Sequence, residues 1–442
     1  MRRIYLDYAA STPVATAVFA EMKPYFSMKY GNPGSLHSFG QEAMAAVDKA
    51  RERVARAINA DFREVVFTGS ATEANNLALR GVIRAARLIP RGAGRSSAPA
   101  AEADLRSRRA RSFGDQAEHV SESRRLEQSA PPDPNGPFRP KIIVSSIEHE
   151  SVLETARDLE RDGAEVVEVP VGKDGVVDMK KLEAAIDERT VLVSVMYVQN
   201  EIGSIQPVAE IARMIKRSGS PALLHTDASQ APAYLDCDVK KLGVDLMTLS
   251  SQKVYGPKGV GALFVKNKEY KIENNGRRRS SILHSPFLIP AITGGGQEFG
   301  LRSGTENVPG IVGFGKAMEL AAGGRVRSSR KVTEIKYHFQ KGLKKVAPKA
   351  DINGSSEAPH ILNVYFPDQF AGDLLTRLDI AGVAASSGSA CAARAFTPSH
   401  VLEAIGLPGE RIRGSVRFSF GGPTTKAEVN EAVKRIFVII RP

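Results

Sequence analysis

Short apolar runs alternate with amphipathic segments over most of this chain. The central runs are bounded by turn residues and are typical of buried strands, at 142–146, 164–170, 190–198, 222–228 and 246–251. Apolar residues at helical spacing lie between most of these runs. Strands that alternate with helices indicate an α/β fold, with a mostly parallel sheet and helices on both of its faces.

The two ends of the chain contain shorter elements. Near the start, the pattern predicts strands at 4–6 and 65–69, a helix at 43–58, and a second helix capped by Ser70 or Thr72. Towards the end, it predicts helices at 308–322 and 329–346, strands at 360–366 and 414–420, and a closing helix from Thr425. We therefore expect a large domain over 15–310 and a small α+β domain built from 1–14 and 311–442.

Two stretches show neither the apolar runs of strands nor the apolar spacing of helices. Residues 91–139 hold nine arginines, seven acidic residues and five prolines, with few large apolar side chains. Such a segment cannot bury enough apolar surface to offset the chain entropy lost on folding. We expect a surface insertion at 91–140, which serves either as a solvated loop or as a partner-docking element. A second irregular stretch covers 272–291.

Composition narrows the class of protein. The chain has 442 residues and two cysteines, which argues against a disulfide framework and fits a reducing compartment. No run approaches the roughly 18 apolar residues of a membrane span, and the first residues lack the apolar core of a signal peptide, so we expect no membrane contact and a cytoplasmic location. The net charge of +12 comes without a basic motif interleaved with aromatics. We expect no direct nucleic-acid binding, since an anionic cofactor and an acidic partner protein explain this charge equally well.

Four groups of small or polar residues follow predicted strands, at the edge where open α/β sheets place their ligand sites. The turn 69–72 opens a helix, where free N–H groups bind phosphate or the side chains merely cap the helix. His149 can stack on a ring or move a proton, although a lone loop histidine usually does neither. Asp227, at the end of an apolar strand, either pairs with a cation such as a pyridinium nitrogen or caps a helix. Lys253 is either a Schiff-base lysine or an ordinary surface lysine.

The order of these groups resembles the fold-type I enzymes that use pyridoxal 5′-phosphate. Longer stretches resemble one branch of the class-V aminotransferase family, the cysteine desulfurases of the iron–sulfur assembly type. These stretches are YLDYAASTPV, GNPGSLHSFG, FTGSATEANNLAL, VQNEIGSIQP, HTDASQ, SSQKVYGPKG, GGGQEFGLRSGTENV and SSGSACAAR. The resemblance implies a seven-stranded sheet and a pyridoxal-phosphate enzyme.

The resemblance also implies roles for residues around the cofactor ring. Lys253 carries the cofactor, Asp227 pairs with the pyridinium nitrogen, and an ionised aspartate there makes the ring an electron sink. Gln230 bonds the phenolic oxygen of the ring. His149 stacks on the ring and, like Lys253, is a candidate to take the Cα proton of the substrate.

Further implied roles concern the cofactor phosphate and the substrate. The residues matched to the phosphate contacts are Ala71, Thr72, Ser250 and Gln252. Thr305 matches a phosphate contact made to the neighbouring subunit, which implies a homodimer. Asn200 matches a residue near both cofactor and substrate, and Arg417 matches a residue near the substrate carboxylate, a group that the planar guanidinium fork binds well. No metal ligands are expected.

Cys391 lies in SSGSACAAR, a run of small residues that packs poorly and is typical of a loop. The resemblance implies that its thiolate takes the sulfur of L-cysteine as a persulfide, with L-alanine as the other product. The sulfur then passes to an acceptor or iron–sulfur scaffold protein, for cluster assembly or for tRNA thiolation. Cys237 has no motif around it, and we interpret it as structural.

One residue departs from the family pattern. The family usually has histidine immediately before the lysine, where this chain has Gln252. Glutamine can donate to a phosphate but cannot take up a proton, so a proton-relay role at this position is in doubt. A selenocysteine lyase, an aminotransferase and a non-enzymatic sulfur-relay subunit are the alternative functions on this fold. The presence of Lys253, Asp227 and Cys391 argues against the last of these.

Overall fold

The computed structural model describes residues 3–88, 138–267, 287–388 and 398–441. The predicted insertion at 91–140 lies almost wholly outside these residues, as does Cys391. Most of the irregular stretch at 272–291 also lies outside them.

A seven-stranded sheet forms the centre of the fold. Its strands in chain order are β2 (Val65–Thr68), β3 (Lys141–Ser145), β4 (Glu165–Val169), β5 (Thr190–Ser194), β6 (Leu223–Asp227), β7 (Leu246–Ser250) and β8 (Gly261–Val265). They lie side by side in the order β2-β8-β7-β6-β5-β3-β4. All neighbouring strands run parallel except at β8, which is antiparallel to both β2 and β7. The mostly parallel sheet is confirmed, whereas β8 was not predicted.

The apolar runs arise because the sheet is covered on both faces. In β3, Ile143 packs into one core, while Ile142 and Val144 pack into a second core on the opposite face. Successive side chains of a strand point to opposite faces, so a strand buried on both sides has no polar alternation.

Helices cover both faces of the sheet, as predicted. They are α1 (Thr16–Met22), α2 (Ser38–Ala57), α3 (Ala71–Leu88), α4 (Glu150–Arg161), α5 (Met179–Ala185), α6 (Val208–Ser218), α7 (Val239–Leu242), α8 (Val308–Val346), α9 (Ala371–Ile380), α10 (His400–Ala404), α11 (Gly409–Arg413) and α12 (Lys426–Ile440). Apolar residues of α3 and α4 belong to one core, and those of α2, α5, α6 and α8 belong to the other. The closing helix starts at the predicted place, because Thr425 and Glu428 form a reciprocal capping box.

The prediction of two helices at 308–322 and 329–346 is wrong. One continuous helix, α8, covers both, including the glycine pair at 323–324. Glycine inside a helix costs roughly 1 kcal/mol, an amount that tertiary packing can offset. Here Arg325 holds the middle of α8 by donating to Asp236 Oδ1 at 2.6 Å and to the carbonyl of Ala57 at 3.3 Å.

The remaining strands form two small sheets. Strand β1 (Ile4–Tyr5) pairs in parallel with β11 (Val383–Ala384), so the start of the chain joins its C-terminal part. An antiparallel sheet combines β9 (Asp351–Ile352), β10 (Ile361–Tyr365) and β12 (Ser415–Ser419). The division into domains at 14/15 and 310/311 stays a prediction. Among the described residues, none of the helices is long and apolar enough to cross a membrane.

Candidate active site

A cavity of about 490 Å³ lies at the carboxyl ends of the parallel strands. This is the edge at which an open α/β sheet is expected to bind its ligand. Residues predicted for the site line this cavity together: Ala71, Thr72, His149, Asn200, Asp227, Gln230, Ser250, Gln252, Lys253 and Arg417. The cavity thus gathers side chains from segments that are far apart in the sequence.

Lys253 ends a short 3₁₀ turn, Ser251–Lys253, that follows β7. Its Nζ donates to the carbonyls of Ala9 and Ala10, at 2.6 and 2.7 Å. Both alanines belong to the loop after β1 and line the cavity. The amine is therefore aimed into the cavity by two backbone acceptors and is not an ordinary surface lysine.

Asp227 is the last residue of β6 and is 5 % exposed. Its Oδ1 accepts from the backbone N–H of Ser229, and its Oδ2 accepts from Asn75 Nδ2, both at 2.9 Å. Carboxylate oxygens can each accept a further hydrogen bond, so the group keeps capacity for a cation in the cavity. The helix-capping role considered from the sequence is wrong, since the next helix starts only at Val239; Asp227 caps a turn instead, which leaves this capacity intact.

The first turn of α3 is suited to an anion. Ser70 caps the helix, since its Oγ accepts from the N–H of Glu73 at 3.1 Å, as predicted. The N–H groups of the following first-turn residues, Ala71 and Thr72, have no helical partner of their own. Helix N-termini of this kind bind phosphate groups. A Cβ on Gly261 would lie 2.7 Å from the Ser70 backbone, so glycine is required where β8 packs against this turn.

Gln230 is held in one orientation by two partners. Its Nε2 donates to the carbonyl of Ala9 at 2.9 Å, and its Oε1 lies 3.1 Å from Nε2 of His360. His360 is fully enclosed and stacks on Tyr234 with 4.2 Å between ring centroids. Burial lowers the pKa of His360 to about 3, so the ring is neutral. It therefore presents a single N–H to the amide oxygen of Gln230.

His149 caps helix α4 as well as lining the cavity. Its Nδ1 accepts from the backbone N–H of Ser151 at 3.1 Å and lies 2.9 Å from Ser151 Oγ. Burial is the main cause of a lowered His149 pKa, and Lys253 adds to the effect while Asp227 opposes it. The imidazole is therefore neutral near neutral pH. The sequence did not indicate its capping role.

Arg417, on β12, is 2 % exposed. Its Nη2 donates to Asp7 Oδ1 at 2.8 Å and its Nη1 donates to the carbonyl of Asn200 at 2.9 Å. Its Nε is buried without a partner among the described residues. The guanidinium is thus already oriented at the cavity wall, next to Asn200.

Two predicted site residues remain, Thr305 and Cys391. Thr305 is exposed on the surface, so its role towards a neighbouring subunit stays a prediction. Cys391 lies outside the described residues. The residues on either side, Gly388 and His400, line the cavity. Cys237 is fully buried, and burial raises its pKa to about 12, in line with a structural thiol.

Sequence reasoning missed several polar residues of the site, among them Asn75 and Glu201. Asn75 is 0 % exposed and bonds Asp227. Its position in the apolar stripe of α3, four residues before Leu79 and seven before Val82, was a signal that could have found it. Glu201 is 1 % exposed and its Oε2 accepts from Ser399 Oγ at 2.6 Å. Nothing in its sequence surroundings distinguishes it from a surface glutamate.

These groups fit pyridoxal phosphate. The cavity offers an amine, a buried carboxylate, a helix N-terminus for a phosphate and an imidazole. Asn75 Oδ1 and Ser229 Oγ, next to Asp227, are buried polar atoms without a partner among the described residues. When bound, the cofactor supplies an electron sink for the Cα of an amino acid.

Comparisons with known proteins agree with this geometry. The family model described as aminotransferase class-V matches residues 4–92 and 138–431. A cysteine desulfurase IscS of Dictyoglomus turgidum is 36 % identical, over 100 % of this chain and 96 % of its own. A solved structure described as a NifS-like protein is 32 % identical with a TM-score of 0.78, covering 99 % of both chains. A structure of SspA in complex with cysteine is 31 % identical with a TM-score of 0.70, covering 96 % of this chain and 100 % of that one.

Proposed function

The chain belongs to the cysteine desulfurases of the class-V aminotransferase family, and we propose that Lys253 and Cys391 carry its reaction. The enzyme depends on pyridoxal phosphate, takes L-cysteine as substrate and releases L-alanine. Its sulfur becomes a persulfide on Cys391 and passes to an acceptor protein, for iron–sulfur cluster assembly or tRNA thiolation. The names of the relatives favour this activity over a selenocysteine lyase, an aminotransferase or a non-enzymatic relay subunit.

The observation that carries the proposal is the convergence of Lys253, Asp227 and His149 on one cavity, together with the first turn of α3. In this arrangement the backbone of 71–72 binds the cofactor phosphate, and Asp227 pairs with the ring nitrogen. Gln230 bonds the phenolic oxygen, and its orientation is held by the neutral His360. Ser250 and Gln252 complete the phosphate contacts.

The amino-acid substrate is then oriented from two sides. Arg417 and Asn200 bind its carboxylate, and the amine of Lys253 takes the proton from its Cα. The thiolate of Cys391 attacks the substrate sulfur, so that a new sulfur–sulfur bond forms while the carbon–sulfur bond breaks. Cβ keeps the electron pair of the broken bond and gains a proton from solvent, Cα recovers the proton that Lys253 had taken, and the product departs as alanine. The proposal is supported by Gly388 and His400, which line the cavity on either side of segment 389–397.

The test compares the two cysteines. Wild-type, Cys391→Ala and Cys237→Ala proteins are loaded with cofactor, and alanine and sulfide release from L-cysteine in the presence of a thiol reductant are measured. We expect Cys391→Ala to keep the visible absorbance of the bound cofactor but to form no persulfide by mass spectrometry. Cys237→Ala serves as the matched control and should retain activity. Sulfide release by Cys391→Ala at the wild-type rate would refute the assignment.

We further propose that the enzyme works as a cytoplasmic homodimer. Exposed apolar side chains cluster between residues 19 and 39: Phe19, Phe26, Met28, Tyr30, Leu36 and Phe39. Thr305 is also exposed, as required for a residue that completes the phosphate site of a second copy. Sedimentation at micromolar concentration should give a dimer, and Leu36→Glu should weaken it. A wild-type chain that sediments as a monomer while fully active would contradict this part of the proposal.

A further inference from the structure

A chain of hydrogen bonds connects Asp227 with His149 through two side chains that the proposed reaction does not use. Asn75 Nδ2 donates to Asp227 Oδ2 at 2.9 Å and to Ser151 Oγ at 2.8 Å. Ser151 Oγ lies 2.9 Å from His149 Nδ1, and the backbone N–H of Ser151 donates to the same nitrogen at 3.1 Å. Asn75 is on α3, whereas Ser151 and His149 are at the start of α4.

The hydrogens along this chain have one consistent arrangement. An ionised carboxylate only accepts, so the amide group of Asn75 that faces Asp227 is its NH₂. The reversed amide would place an oxygen against the carboxylate. The second hydrogen of the same NH₂ goes to Ser151 Oγ. The hydroxyl hydrogen of Ser151 is then left for Nδ1 of His149.

The backbone leads to the same assignment independently. An amide N–H can only donate, so the bond from Ser151 N makes His149 Nδ1 an acceptor whatever the side chains do. A neutral imidazole carries one proton, which must then be on Nε2. Burial favours this neutral form, because it lowers the pKa of His149. His149 Nε2 bonds none of the described residues, and the ring lines the cavity.

We infer that Asn75 and Ser151 are positioning residues that hold His149 in the tautomer with its proton on Nε2, so that His149 offers the cavity an N–H donor and no basic lone pair. The assignment of the tautomer needs no assumption about the reaction. The role that the tautomer gives His149 in catalysis rests on the proposed function. In that reaction Lys253, and not His149, takes the Cα proton. His149 instead donates a hydrogen bond from Nε2 to an acceptor in the cavity.

The first test observes the tautomer directly in cofactor-free protein. Long-range ¹H–¹⁵N spectra of ¹⁵N-histidine-labelled protein distinguish the two ring nitrogens, and His149→Gln identifies the signals of His149. We expect the proton on Nε2 in the wild type. In Ser151→Ala one donor to Nδ1 is lost, which should raise the minor tautomer about fivefold, as for the loss of one ordinary hydrogen bond.

Asn75 and Asn76 are neighbours on α3, so alanine variants of the two provide a test and its control. Asn75→Ala frees the hydroxyl of Ser151 and should shift the tautomer ratio in the same direction as Ser151→Ala, by a smaller factor. Within the described part of the chain, Asn76 bonds only its own helix, through Thr72 and Arg80, so Asn76→Ala should leave the ratio unchanged. A proton on Nδ1 in the wild type would overturn the inference, as would identical spectra for Asn75→Ala, Ser151→Ala and Asn76→Ala.

The second test uses amides as mimics of each ring nitrogen in the cofactor-loaded enzyme. In His149→Gln the side-chain NH₂ replaces the Nε2 donor, whereas in His149→Asn it replaces Nδ1. The readouts are cofactor affinity and exchange of the Cα hydrogen of L-alanine with D₂O. We expect His149→Gln to lose less than about tenfold in exchange, short of the roughly 10²- to 10⁴-fold loss that removal of a general base causes.

The two proposals fail in different ways. An exchange loss in His149→Gln as large as that in Lys253→Ala would overturn the donor role of His149. Normal alanine exchange and the expected tautomer, but no persulfide from L-cysteine, would count against the proposed function alone.

Discussion

Gly388 is the last described residue before segment 389–397, and a methyl group there should be poorly tolerated. Its φ of 114° is a conformation that side chains rarely adopt. An added Cβ would also lie 2.9 Å from Cδ of Glu201 and closer still to Oε2. Glu201 cannot swing away freely, because it is 1 % exposed and its Oε2 accepts from Ser399 at 2.6 Å. Gly388→Ala therefore meets both backbone strain and a clash.

The two effects can be given separate magnitudes. The positive φ costs a non-glycine residue about 1–3 kcal/mol. If Glu201 moves, its buried carboxyl loses the hydrogen bond from the half-buried hydroxyl of Ser399, at a further cost of about 1–3 kcal/mol. Gly406→Ala isolates the first effect, because Gly406 has a φ of 77° and no atom near its ideal Cβ. Urea unfolding should therefore show a larger loss for Gly388→Ala than for Gly406→Ala, by about 1–3 kcal/mol.

Two measurements distinguish an effect of Gly388→Ala on cofactor binding from an effect on persulfide formation. Gly388→Ala should bind pyridoxal phosphate normally, since Lys253, Asp227 and the first turn of α3 are unchanged. Under the proposed function, the yield of persulfide on Cys391 after one turnover should fall, because Gly388 directly precedes segment 389–397, in which Cys391 lies. Glu201→Asp in the same chain shortens the opposing side chain and should restore part of the lost stability. A Gly388→Ala protein as stable and as active as Gly406→Ala would refute this reasoning.

Three further predictions follow from buried or cavity-lining groups. Cys237→Ala should release sulfide at the wild-type rate and lose about 1 kcal/mol of stability in urea, because its thiol is buried and its pKa of about 12 keeps it protonated. The pKa of His225 falls from 6.5 in the unfolded chain to about 4 in the fold, mainly through burial. The contribution of the neutral His225 to the free energy of unfolding is therefore complete above pH 6.5 and is lost as the pH falls towards 4. The stability difference between wild type and His225→Gln should therefore change by about 3 kcal/mol over that interval in urea unfolding, and a difference that stays constant with pH would contradict it. Gln252→Ala should weaken cofactor binding several-fold and leave the turnover of the saturated enzyme nearly unchanged; a turnover loss near 100-fold would instead indicate a proton-transfer role.

The parts of the fold that sequence reasoning predicted are those with local causes. Strands such as β3 are apolar on both faces, and Thr425 with Glu428 forms a local capping box. The two errors have tertiary causes. Helix α8 continues through its glycines because apolar residues on both sides of them, such as Met318 and Val332, pack into the same core. Strand β8 is a five-residue run after a glycine-rich turn, and its pairing with β2 and β7 makes it a strand.

The same distinction applies to the site. Lys253 and Asp227 each follow an apolar strand, so their approximate position could be predicted from the order of elements. Their partners could not, because the contacts join residues 152 apart for Asp227 and Asn75, and 244 apart for Lys253 and Ala9. A contact of that kind depends on how two elements pack. The support that Asn75 gives to the tautomer of His149 is a contact of this kind, whereas the bond from the N–H of Ser151 joins residues only two apart.

The loop after β1 connects the two sides of the cavity. The carbonyls of Ala9 and Ala10 hold Lys253 from the large sheet, while Asp7 holds Arg417 from β12. A guanidinium buried at 2 % exposure needs a compensating charge, and Asp7 provides it before any substrate arrives. Two bonds do not exhaust the donors of this group, and its Nε–H has no partner among the described residues. Under the proposed function, Arg417 can therefore bind the substrate carboxylate without releasing Asp7, so the substrate meets an arginine whose orientation is already set.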